Sequence, residues 1–288
     1  MREFLSVLLA LGMAACTAPA KDAAPAATPL ASPQRIVSLH SVLTESVAAL
    51  GSEDRIVGTD VTSKFPDTVK DLPKLGHDKA IRAEGVLSLS PDVVLANVGQ
   101  LDPTVEGQLR KAGVRLMLFT PENSIAGTKH LIAQLADSIG RHAEAGPVAT
   151  RIDSDLAAVV PLSPSPKVLF IYARGAGTLL VAGAGTPVQS MITLAGGTNA
   201  VTDFSDFKPL TPEALVAADP DVVLYFNTGA DDLQGNDALM RVPGMASTGA
   251  GRTGAFVRLD PVIMAGFGPR IGQAIALLNT DLARYVKK

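Results

Sequence analysis

Cysteine is nearly missing from this chain: the one copy in 288 residues is Cys16, in the N-terminal stretch. The remainder can form no disulfide, no CxxC redox pair and no thiolate metal site. The folded part must therefore be held by its apolar core, for which 47% hydrophobic residues supply the material. Tryptophan is absent and tyrosine occurs three times, so aromatic walls are scarce. The net charge is −3 with no basic tract, and nothing invites nucleic acid. Catalytic signatures are lacking as well: no GxSxG elbow, HExxH, phosphate-binding P-loop or complete GxGxxG. "GAGTLLVAGAG" lacks the third glycine and reads as turns around a short strand, and "DDLQGND" lacks the calcium-loop spacing. Without a catalytic constellation the chain is expected not to be an enzyme.

What is present begins with "MREFLSVLLALGMAAC". Arg2 forms a weakly basic start, and the apolar run Phe4 to Met13 falls short of the ~20 residues needed to span a bilayer. Ala14-Ala15-Cys16 follows, so residues 1–16 read as a secretory signal, outside fold reasoning. They resemble a bacterial lipoprotein signal, with Met13 where leucine is usual; an ordinary signal cut nearby is the alternative. The resemblance implies lipidation of Cys16 and an exported, periplasmic or otherwise extracytoplasmic protein held by lipid chains. Residues 17–34, "TAPAKDAAPAATPLASPQ", cannot bury apolar surface and read as a flexible tether.

From Arg35 onward short apolar runs alternate with helical patterns. "RIVSLH", "DRIVGTD", "DVVLANV" and "VRLMLFT" read as strands, and "SIAGTKHLIAQLADSIGRH" as a helix. The pattern restarts with the strand "KVLFIYA", the helix "PVQSMITLAGG", the strands "DVVLYF" and "AFVRLD", and the closing helix "GPRIGQAIALLNTDLARYV". This alternation predicts an α/β protein with parallel sheets. The restart carries a signature: "EGVLSLSPDVVL" (84–95) and "EALVAADPDVVL" (213–224) share Glu and Pro-Asp-Val-Val-Leu at the same spacing, 129 positions apart. Two similarly built Rossmann-like lobes are expected, residues 35–143 and 164–288. Between them residues 144–163 read as one connecting helix, with Pro147 in its first turn. Two lobes on one stiff helix leave a cleft, the usual place for a small ligand.

Over nearly the whole mature chain the sequence resembles the substrate-binding proteins of ABC importers with a single helical connector, the siderophore, cobalamin and heme group. "LPKLGHDKAIRAEGVLSLSPDVVLA", "DVTSKFP", "FKPLTPEALVAADPDVVL" and "AGFGPR" carry the likeness, which is strongest to hemin-binding members. The resemblance implies heme as transported cargo, no catalytic cofactor, and as partner a permease dimer with ATPase subunits. The alternative cargo is cobalamin, another corrinoid or a ferric siderophore; the scarcity of aromatic residues speaks against a corrinoid.

Hemin-binding relatives usually read "VGYMRxLxAEG", where the tyrosine ligates ferric iron and the arginine assists it. Here His77 stands in the tyrosine's place and Lys79 in the arginine's. Imidazole is itself a normal heme ligand, so the resemblance implies His77 on iron. His40, where relatives have glycine, is the candidate second ligand or hydrogen-bonding partner. It follows the first strand, and the carboxyl ends of strands face the crevice of such sheets. Lys79, Arg82, Arg174 and Arg270 are candidate partners for the heme propionates, with Tyr172 as a further heme contact. Phe65 is a candidate apolar wall. His130 and His142 are expected in solvent. By the resemblance Glu84 and Glu213, placed alike in the two lobes, dock on the permease; alone, each is also what a helix N-terminus favours, with Thr211 as cap and Pro212 first.

Overall fold

The computed structural model describes residues 33–173, 178–226, 236–261, 263 and 266–286. Cys16, the signal and Arg174 lie outside the described residues, as does nearly all of the tether.

The first sheet has four parallel strands, β1 (Ile36–Ser38), β2 (Ile56–Thr59), β3 (Val93–Asn97) and β4 (Arg115–Phe119), in the order β2-β1-β3-β4. Helices α1 (Ser41–Ala49), α2 (Ala83–Leu87), α3 (Pro103–Lys111) and α4 (Ile125–Ile139) intervene or follow. The central strands are buried Val and Leu runs, as expected where helices cover both faces.

Gly140, in the left-handed conformation at φ 70°, caps α4. The chain restarts at once as α5 (His142–Leu156), which packs against α4 and against α10 (Ile271–Ala283). Pro147 is the sixth residue of α5 and not in its first turn, so the helix forgoes a bond to the Ala143 carbonyl. A Cβ on Gly272 would stand 2.6 Å from the Ile152 carbonyl oxygen, so α10 meets α5 at a distance only glycine permits. Irregular chain follows Leu156 up to β5.

The second sheet is mixed. β5 (Lys167–Ala173), β6 (Leu179–Ala182), β8 (Phe207–Pro209), β9 (Val222–Phe226) and β10 (Phe256–Leu259) run in the order β10-β9-β5-β6-β8, and β7 (Thr198–Asn199) also pairs with β5. β10, β9, β5 and β7 are parallel neighbours, whereas β6 and β8 are antiparallel. The all-parallel expectation fails there for a geometric reason. Only residues 174–178 link β5 to β6, and a parallel return needs a crossover of a dozen residues or more. β8 is exposed throughout and ends in Pro209, the signature of an edge strand. Helices α6 (Pro187–Leu194), α7 (Pro212–Ala218), α8 (Asn236–Met240) and α9 (Gly249–Thr253) complete the second lobe before α10.

The sequence repeat is a repeat of local physics. Asp92 accepts the Arg35 backbone N–H at 2.9 Å, and Asp221 accepts that of Lys167 at 2.8 Å; each carboxylate pins the strand beside its own. The residue before each Pro-Asp is left-handed without being glycine, Ser90 at φ 45° and Asp219 at φ 38°. β3 and β9 then share one burial pattern, four buried residues and a half-buried fifth.

Candidate functional site

A cavity of about 590 Å³ opens between the two lobes, within the range of small-molecule sites. The first lobe lines it with the start of α1 (His40, Val42, Glu45) and with the chain leaving β2 (Val61, Lys64, Phe65). The second contributes Phe170 and Tyr172 of β5, Phe226 at the end of β9, Val188 of α6 and the chain between β10 and α10. β1, β2, β9 and β10 thus feed the cavity from their carboxyl ends. Phe226 meets Phe170 edge-on at 4.9 Å between centroids and Tyr172 at 6.3 Å, so the aromatics form one packed wall. Tyr172 is half-buried, lines the cavity and packs against the core.

His40 is the N-cap of α1: its Nδ1 accepts the backbone N–H of Val42 at 3.3 Å. Burial pushes the imidazole below its ordinary pKa, opposed by the charges of Asp60 and Asp78 and helped by that of His77. A neutral ring whose Nδ1 accepts carries its proton on Nε2. His40 is therefore a half-buried hydrogen-bond donor in this conformation.

His77 sits differently. It does not line the cavity, its side chain is 58% exposed, and it starts a 3-10 turn without capping it. Its Nδ1 lies 3.1 Å from Asp78 Oδ2. A carboxylate beside one ring nitrogen is a common setting for histidines that ligate metals through the other. The two imidazoles are close enough for their charges to interact.

The expected anion partners divide. Arg270 lines the cavity but is engaged across the lobes: Nε donates to Glu45 Oε1 and Nη2 to Glu45 Oε2, both at 2.8 Å. Its guanidinium also lies 3.8 Å over the Phe65 ring. Lys79 points away from such a role, donating to the carbonyls of Gly99 at 2.6 Å and Leu101 at 2.7 Å. Arg82 is exposed at the start of α2 and outside the cavity lining. Glu84 and Glu213 each occupy the second position of their helix, α2 and α7, and are exposed, with Thr211 capping α7 through Ala214 N–H at 3.2 Å. His130 and His142 are exposed.

Two features escape the sequence reading. Glu45 and Lys64 both line the cavity. Beneath them, buried Asp60 accepts Thr62 N–H at 3.0 Å and the Thr62 and Ser63 hydroxyls; Ser63 Oγ stands 2.8 Å from Thr44 Oγ1. Lys74 closes this network on Thr59 Oγ1 and the carbonyls of Ser63 and Val69, and burial pulls its pKa down against the raising fields of Asp60 and Asp71. The Asp-x-Thr-Ser spelling of "DVTS" is the available signal, since an Asp accepting the N–H two residues on is an Asx turn.

Comparison with known proteins agrees with this architecture. The family model described as "Periplasmic binding protein" matches residues 36–263. The "Periplasmic heme-binding protein BhuT in complex with two hemes" superposes with a TM-score of 0.81 at 37% identity, covering 88% of this chain and 99% of that one. An "Uncharacterized ABC transporter substrate-binding lipoprotein YvrC" of Bacillus subtilis (strain 168) is 25% identical over 87% of this chain and 80% of its own length. A "Cobalamin-binding protein" of Halobacterium salinarum is 29% identical over 85% of this chain and 68% of its own.

Proposed function

The chain belongs to the periplasmic binding protein family, and from that premise we propose that it is the capture component of an ABC importer whose cargo is heme. Heme is a flat apolar ring with a metal at its centre and two carboxylates on one edge. The observation that carries the reading is the cavity between the lobes, with its aromatic and aliphatic walls and the His40 imidazole in its lining. The likeness to heme-binding BhuT supports it. His77, with Asp78 beside its Nδ1, ligates the iron. His40 offers Nε2–H as a donor, because ligating through Nε2 would move its proton to Nδ1 and cost α1 its cap. The chain acts by binding. Cys16 carries the lipid anchor outside the cytoplasm, as the lipoprotein relative supports. Exposed Glu84 and Glu213, equivalent in the repeat, dock on a two-fold permease whose ATPase subunits drive release.

Hemin titration of the purified protein tests this. Saturable binding with an imidazole-type Soret and visible spectrum is expected, and His77→Ala should lose that spectrum while His40→Asn keeps it. An unchanged spectrum in His77→Ala would remove His77 from the iron. The relative named as cobalamin-binding supports a second reading, a corrinoid. Saturable cobalamin binding without hemin binding would replace the first reading with the second.

A further inference from the structure

Among the described residues that line the cavity, Glu45, Lys64 and Arg270 carry fixed charge. Glu45 and Arg270 neutralise each other through their paired hydrogen bonds. Lys64 has no ion-pair partner among the described residues. Its position is nonetheless well defined. On one side Thr62 and Ser63 are tied to buried Asp60, and Ser63 to Thr44 of α1. On the other, the Phe65 ring lies under the Arg270 guanidinium. The surroundings are apolar: Val61, Phe65 and Phe207 remain 44%, 37% and 37% exposed, and all three line the same cavity. An ammonium beside an apolar rim matches a ligand with an apolar body and an anionic edge. Of the four cations nominated from sequence, Lys79 is committed to two carbonyls and Arg270 to Glu45, Arg82 is outside the cavity lining, and Arg174 lies outside the described residues.

Resting on the heme reading, we propose that Lys64 is the residue that receives a ligand carboxylate at the mouth of the cavity, and that it selects for cargo with a free carboxylate edge. The bond formed is an ion pair between its ammonium and one propionate. The paired Glu45 and Arg270 serve as a neutral wall that holds the loop carrying Lys64.

The test crosses the lysine with the carboxylate. Hemin and hemin dimethyl ester are titrated, in the same mild detergent, into the protein and into its Lys64→Ala and Lys64→Glu variants, with circular dichroism to verify folding. Lys64→Ala should weaken hemin binding roughly three- to tenfold, the range between exposed and partly desolvated charge pairs. Lys64→Glu should weaken it further, and ester binding should move less than about twofold in either variant. Raising salt should erode the hemin preference of the parent protein only. Equal losses for hemin and ester would assign Lys64 a packing role and overturn the proposal, as would no loss for either. Failure of both ligands to bind the parent protein would instead sink the heme reading itself.

Discussion

Glu45→Gln is the most demanding perturbation of this architecture, because it attacks an ion pair that joins α1 to the start of α10, 225 positions away. The two hydrogen bonds are 2.8 Å long and the side chains are only 14% and 23% exposed. A unit pair at about 4 Å attracts by about 4 kcal/mol at an effective dielectric near 20, and desolvation offsets most of that. The intact pair is therefore worth little net, whereas removing the carboxylate alone takes a charged acceptor from a guanidinium largely out of water. Losing one member of a fully buried pair costs about 3–5 kcal/mol. Here part of Arg270 remains wetted and the Phe65 face still holds it, which lowers the expected loss to about 2 kcal/mol. With a urea slope of about 3 kcal/mol per molar for a domain of this size, the midpoint should fall by about 0.7 M without a change of slope. Glu45→Gln combined with Arg270→Met should recover at least half of that, since an apolar replacement leaves no orphan. A single-variant loss below about 0.5 kcal/mol, or a double variant that loses the sum of both singles, would refute the reasoning.

His40 makes the protein acid-sensitive. Burial holds its folded pKa below the ordinary 6.5, so the unfolded chain takes up the proton first. Its contribution is complete above about pH 6.5 and is lost as the pH falls from there towards the lowered folded value. His40→Asn, which keeps a capping side chain, should flatten the stability profile below about pH 6.5, whereas His40→Ala should add a cap loss of about 1 kcal/mol at every pH. Denaturation midpoints across that range check it, and a His40→Asn profile as steep as the parent's would exclude the assignment. Glu84→Ala combined with Glu213→Ala should abolish uptake into cells while leaving hemin affinity unchanged; normal uptake would remove these residues from the docking surface.

The features legible in the sequence are those whose cause is local. The 129-residue repeat could be read because each copy must solve the same problem, a helix that ends, a left-handed step and a carboxylate that pins the neighbouring strand. Glu84 and Glu213 follow from that solution, since both fall at the second position of a helix. The antiparallel edge of the second sheet was legible only by counting the residues between β5 and β6, because β8 carries no apolar run to announce it.

Charge partners were not legible, and the reason bears on how this site works. Lys79 and Arg270 sit in motif positions, yet which acceptor each meets is decided by chain that lies far away, Gly99 and Leu101 in one case and Glu45 in the other. Lys64 is one of 25 Lys and Arg residues, and nothing in "TSKFP" distinguishes it. What distinguishes it is that its neighbours on both sides are anchored while it is left unpaired among the described residues. The two histidines follow the same logic: one is half-buried and tied to a backbone N–H, and the other is exposed beside a carboxylate. A motif names the residue types a binding site will use, and tertiary hydrogen bonding decides which of them remain available to a ligand.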